Sequence, residues 1–243
     1  MISIEYLRYI RSKKLILILI MHFGIILLNF VLANVFALST SHFLLLALYN
    51  SMVQFSFFIF PIVIISTFRD DYNLGHDLFF YQNGISKTEF FFSKLLVLWF
   101  FVVGIALGIF FIFGVSMQIN FESVIKSTLI LGLCLTTITF IGTIISLLAK
   151  TTISGVLIMY GVLLIGDVLN LIPLFQGILL QPDKNSFSTG YVTQLLTNGS
   201  PDNRFLNIDL YSNFLIVILV NMAVLTILFI IIRLINRRQG LLI

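Results

Sequence analysis

Six long apolar runs set the pattern of the chain, at residues 15–38, 43–68, 95–117, 124–149, 153–172 and 212–232. Short polar breaks separate most of them. Two breaks are long, residues 69–94 and 173–211. Runs of roughly 18 or more apolar residues predict spanning helices. The opening residues 1–14 read differently. Ile2, Tyr6, Tyr9 and Ile10 recur at helical spacing while Glu5, Arg8 and Arg11 face elsewhere. They predict either an amphipathic helix over 2–13 lying in the membrane interface or a simple basic flank that sets topology.

Within the spans, Pro61 predicts a kink in the second, whose freed carbonyl neighbouring helices can re-satisfy. Gly104 and Gly108 form a G-x-x-x-G pair that allows close helix approach in the third. The fourth carries Gly132, Thr136, Thr137, Thr139, Gly142, Thr143 and Ser146, the mark of a tightly packed helix with hydroxyls bonded back one turn. The fifth ends in Gly166, Asp167, Asn170 and Pro173. Residues 174–180 are apolar but too short to span, and predict a re-entrant or interfacial piece. Residues 181–211 hold Pro182, Pro201 and turn signals at Thr189-Gly190 and Asn198-Gly199.

Composition agrees with this reading. Apolar residues make up 59% of the 243 and charged residues 10%, where a soluble domain has roughly a quarter charged. Mean hydropathy is +1.11. The expected fold is an all-α polytopic membrane protein of six transmembrane helices, one domain over 1–243. A β-barrel would show short alternating segments instead of solid runs. The first run is too long for a cleaved signal. The single cysteine, Cys134, excludes an intrachain disulfide and a cysteine metal site.

Charge places the ends. With the N-terminus inside, eleven basic residues (Arg8, Arg11, Lys13, Lys14, Arg69, Lys87, Lys94, Lys150, Arg233, Arg237 and Arg238) fall on the inner side and three (Lys126, Lys184 and Arg204) on the outer. That asymmetry predicts both termini in the cytoplasm, the 69–94 stretch cytoplasmic and 173–211 outside. The net charge of +4 is then a topology signal, and nucleic acid is not an expected partner.

No H-E-x-x-H, G-x-S-x-G or G-x-x-x-x-G-K-[ST] motif occurs. No catalytic residue, metal site or cofactor is expected in this chain, and ATP-driven work would need a separate subunit. His22, His42 and His76 lie in three different segments. Asp167 is the one acid inside a predicted span, where burial costs about 2.5–3.5 kcal/mol. It marks either the polar outer end of the fifth helix or an outward gate or substrate contact.

The stretch 69–94, RDDYNLGHDLFFYQNGISKTEFFFSK, holds the clearest local logic. A helix over Tyr72–Tyr81 would present Leu74, Leu78 and Phe79 or Tyr81 on one face and Asp77 on another, fit for a partner's groove. Asn83-Gly84 would end it. Ser86 would cap the next helix, with Glu89 completing a capping box. The bland alternative is a plain connector.

The same residues carry a resemblance. Asp71 stands four before Gly75, followed by Leu78 to Phe80, the turn Asn83-Gly84-Ile85-Ser86, Lys87, Phe90-Phe91-Phe92 and Lys94 at the head of the third span. This resembles the loop between the second and third helices of ABC-2 type transporter permeases. There an E-x-x-x-G-T stretch leads to a P-I/V-S-R/K turn and a lysine. Asp71, His76 and Gly84 stand here for the usual Glu, Thr and Pro.

The resemblance implies the permease subunit of a bacterial exporter in the cell membrane, paired as a homo- or heterodimer with a second permease protomer and with nucleotide-binding ATPase subunits that hold the ATP and Mg. It implies an N-terminal elbow helix, a broken helix pair after the fifth span, and a coupling helix. The residues contacting the ATPase would be Asp71, Leu74, Gly75, Asp77, Leu78, Phe79, Gly84 and Ser86. The pathway would run between the first, second and fifth spans, with Asp167, Asn170, Phe55 and Phe58 as candidates. Their aromatic character points to a hydrophobic or amphipathic cargo such as a peptide, lipid or drug. A gradient-driven carrier or a membrane scaffold or sensor subunit is the alternative.

Overall fold

The computed structural model describes residues 2–11, 13–35, 41–74, 76–170, 192–193, 195–196 and 214–241. The described residues are helical, with no strand among them. The elements are α1 (Ile2–Arg11), α2 (Lys13–Val35), α3 (Ser41–Phe58), α4 (Phe60–Asn73), α5 (His76–Gln82), α6 (Lys87–Trp99), a π-helical turn (Phe100–Gly104), α7 (Ile105–Ser116), α8 (Phe121–Leu148), α9 (Thr152–Asn170) and α10 (Phe214–Leu241). Among the described residues four stretches are long and apolar enough to cross a membrane: Ser41–Asp71, Thr88–Ser116, Phe121–Leu148 and Ile218–Ile235. Two shorter apolar stretches, Ile16–Val31 and Thr152–Gly166, lie in α2 and α9. The expected re-entrant piece at 174–180, and all of 181–211 but four residues, lie outside the described residues.

The centre of the bundle is α8, which packs chiefly on α4 and α10 and also on α7, α9 and α3. More than half of its 28 residues are buried. Four of its threonine hydroxyls donate back within the helix. Thr136, Thr137, Thr139 and Thr143 donate to the carbonyls of Gly132, Leu133, Leu135 and Thr139 at 2.7–2.8 Å. An interior of this kind can be dry without leaving those donors unpaired.

The second apolar run is broken where Pro61 foretells a kink. Ile59 separates α3 from α4. Pro61 has no N–H for the carbonyl of Phe57, and its ring crowds that turn. The hydroxyl of Tyr160, on α9, donates to the neighbouring carbonyl of Phe58. A side chain from another helix thus braces the backbone one residue beyond that carbonyl.

The close helix approaches differ from the expected glycine pair. A Cβ on Gly108 would meet nothing within 4 Å, and one on Gly104 would meet only the ring of Phe100 in its own helix. Gly104 closes the π-helical turn, which rotates the pair away from any partner. Tight contacts sit instead at Gly155, where a Cβ would lie 2.8 Å from Cγ2 of Ile65 on α4, and at Gly114, where one would lie 2.7 Å from Cγ1 of Val124 on α8. The turn Met117–Asn120 returns the chain on itself there, so α7 and α8 converge at this end.

Candidate functional site

Glu5 and Arg8 lie three residues apart and share one face of α1. The Arg8 guanidinium donates to the Glu5 carboxylate at 3.2 Å. That face is turned inward, with Glu5 fully buried, while Ile2, Tyr6 and Ile10 are 49%, 42% and 44% exposed. The helix therefore docks by its charged side and presents its apolar side outward, the reverse of a helix on a water-soluble core.

The partners come from two other elements. α4 continues past the last apolar residue, Phe68, and carries Asp71 on its final turns. α6 starts at Lys87, seven residues before its Lys94. Asp71 is 4% exposed and Lys94 1%. One carboxylate oxygen of Asp71 accepts from Arg8 and the other from Lys94. Thr67 lies one turn before Asp71, so the same ammonium also donates to the Thr67 carbonyl, at 2.5 Å. The rings of Phe68 and Phe90 flank it, with centroids at 5.1 and 5.7 Å. Phe68 in turn packs on Phe91 at 5.2 Å.

Two acids and two bases thus alternate as Glu5, Arg8, Asp71 and Lys94. Removing such charges from water costs several kcal/mol each, and only complete pairing offsets it. Burial raises the Glu5 pKa above its ordinary value, against the opposing pull of Arg8 and Lys94. Its second carboxylate oxygen has no hydrogen-bond partner. For Arg8 burial is the largest influence and acts to lower the pKa, but the bonds and charges of Asp71 and Glu5 together outweigh it, so the net shift is upward. Among the described residues no group of His, Cys, Asp and Glu could hold a metal. The chemistry available to the cluster is mechanical: it ties α1, the end of α4 and the start of α6 into one unit. Tyr6 adds an apolar link, stacking on Phe101 of the π-helical turn with centroids 5.6 Å apart.

Beyond Asp71 the chain makes two short helices. The helical stretch expected over Tyr72–Tyr81 is divided, because α4 runs to Asn73 and α5 begins at His76. α5 is anchored through Phe80, whose ring stacks on Phe90 at 5.2 Å. Leu74, Phe79 and Tyr81 are exposed. Gly75 and the side chains of Asp77 and Leu78 lie outside the described residues. Gly84 takes φ of +81°, and the N–H groups of Gly84 and Ile85 bond to the carbonyls of Tyr81 and Phe80, both at 3.0 Å. This is a Schellman ending, which favours glycine. Ser86 then caps α6, accepting from the Glu89 N–H at 3.1 Å.

The pathway candidates Phe55 and Phe58 lie three residues apart on α3. Phe55 is partly buried against the core and Phe58 is exposed. Asp167 and Asn170 belong to α9 by their backbone, and their side chains lie outside the described residues. Sequence reasoning singled out Asp71 and Lys94 but treated Glu5 and Arg8 as a helix face and a topology charge. The available signal was their i, i+3 spacing opposite an acid and a base that each needed a buried partner. No protein-family profile, curated protein or solved structure matches the chain.

Proposed function

We propose that this chain is the permease subunit of an ATP-driven exporter of the ABC-2 type, with six spans, both termini in the cytoplasm and the ATPase on a separate subunit. The supporting observation is the ion-paired unit around Asp71. The short helix α5, with Leu74, Phe79 and Tyr81 exposed beside and along it, hangs from this unit through Phe80. An ATPase that gripped α5 would move Asp71, Lys94 and α1 together, and the motion would enter α4 and α6 at once. Leu74, Phe79 and Tyr81 offer the apolar anchors that groove binding uses. The second and third apolar runs would then respond as one body, opening a route between the first, second and fifth spans of two protomers for a hydrophobic or amphipathic cargo.

The test is co-purification. The tagged full chain is extracted gently from its native membrane, and its stoichiometric companions are identified. A subunit bearing a Walker motif, lost when Leu74 and Phe79 are changed to Asp, supports the proposal. No such subunit, where a control permease keeps its own, overturns it in favour of a gradient-driven carrier or a scaffold.

A further inference from the structure

On the side of the bundle away from the charge cluster, α6, the π-helical turn and α7 diverge from α8 and α10. A cavity of about 820 Å³ opens between them, within the roughly 300–1,000 Å³ typical of ligand sites. We propose that this groove is a lipid site holding one fatty-acyl chain of a membrane phospholipid.

Its chemistry selects a hydrocarbon. The polar side chains on its wall are Trp99, Thr128 and Thr136, and all three are already bonded. Trp99 Nε1 donates to Thr136 Oγ1 at 2.9 Å, Thr136 to the Gly132 carbonyl at 2.7 Å, and Thr128 to the Val124 carbonyl at 2.7 Å. Among the described residues no charged one lines it. A peptide or polar drug would leave its own donors and acceptors unpaired there, at a cost of about 1–3 kcal/mol for each group. An alkyl chain has none to lose.

Its shape selects a single chain. The lining runs from Phe92 to Leu107 on one wall and from Ile218 to Phe229 on another. At roughly 1.5 Å per residue this makes a groove about 17 to 22 Å long. Half of a hydrocarbon core about 30 Å thick is about 15 Å, so the groove is long enough to hold one leaflet's chain along its length. Leu129 and Met222, at its rim, are 48% and 51% exposed, which leaves it open to the surrounding membrane. The π-helical turn lies on its wall: Phe100 faces the groove while Phe101 turns inward onto Tyr6. Such turns recur at functional sites.

Trp99 is the chain's only tryptophan, and it lies in the groove, so its fluorescence reads occupancy. A phospholipid brominated along its acyl chain is titrated into the full chain at fixed detergent. The expected result is saturable quenching of Trp99 that is complete near one lipid per chain and reversed by the unbrominated lipid. Met222→Phe, or Leu129→Phe as a second variant, fills the rim and lowers that quenching several-fold. Leu164→Phe, at an exposed position of α9, leaves it unchanged. Quenching that rises in proportion to bulk lipid without a plateau overturns the proposal. So does quenching indifferent to both filling variants while helicity is retained. The result stands apart from the transport reading, because it needs no ATPase.

Discussion

Replacing Asp71 with Asn removes the one carboxylate that pairs with both Arg8 and Lys94. Arg8 keeps Glu5. Lys94, 1% exposed, keeps only the Thr67 carbonyl and the faces of Phe68 and Phe90 as described contacts. Breaking a buried pair on one side costs about 3–5 kcal/mol, which is roughly a hundred- to several-thousand-fold in the folding equilibrium. Removing both charges is different. Asp71→Leu with Lys94→Met takes out the ion pair and leaves apolar volume among aromatic rings, a change that is often neutral or stabilising. The expected order is therefore wild type and double variant close together, with Asp71→Asn far below. Denaturant unfolding in mixed micelles, followed by Trp99 fluorescence, measures all three. A single-variant cost below about 1 kcal/mol, the range of surface pairs, refutes the buried cluster. So does a double variant as unstable as the single one.

Glu5 gives a pH test. Its folded pKa is raised above the ordinary 4.5, so the docked helix binds the extra proton. The stabilisation from this group is fully present below about pH 4.5 and is lost as pH rises through the folded value. Protease cleavage after Arg8 and Arg11 should accelerate across that window in the wild type, and Glu5→Gln should flatten this component. Tyr160→Phe removes the hydrogen bond to Phe58 at the kink and should cost about 0.6 to 1.7 kcal/mol, the range for bonds between membrane helices; the same unfolding measurement checks it. Gly114→Ala should destabilise by about 1–3 kcal/mol through overpacking against Val124, a stiff β-branched side chain. Val124→Ala in the same chain should recover part of that loss.

The amphipathic period of residues 2–11 and the long apolar runs were legible because helical periodicity and bulk hydropathy are local properties. The close of α5 and the start of α6 were also legible, since Gly84 and Ser86 act on backbone groups within three or four residues. What the chain did not disclose was which face of α1 goes inward. In water the apolar face would be buried, and Glu5 and Arg8 would be solvated. Against a membrane the preference inverts, and the choice depends on Asp71 and Lys94, more than sixty residues away. The Gly104/Gly108 pair misled for a related reason. Spacing assumes an unbroken α-helix, and the π-helical turn shifts the phase of every residue after it.

That phase shift has a mechanical meaning. One residue corresponds to about 100° of rotation in an α-helix. The extra residue in Phe100–Gly104 therefore gives the third apolar run two rotational settings within one rod. Below the turn, the rod is clocked so that Lys94 meets Asp71. Above it, the rod is clocked so that Gly114 meets Val124. One rod thus meets both contacts at two different angles. Were the turn regular α-helix, holding Lys94 on Asp71 would swing Gly114 about 100° away from Val124. The turn is the phase correction that lets one rod serve the charge cluster and the far side of the bundle together.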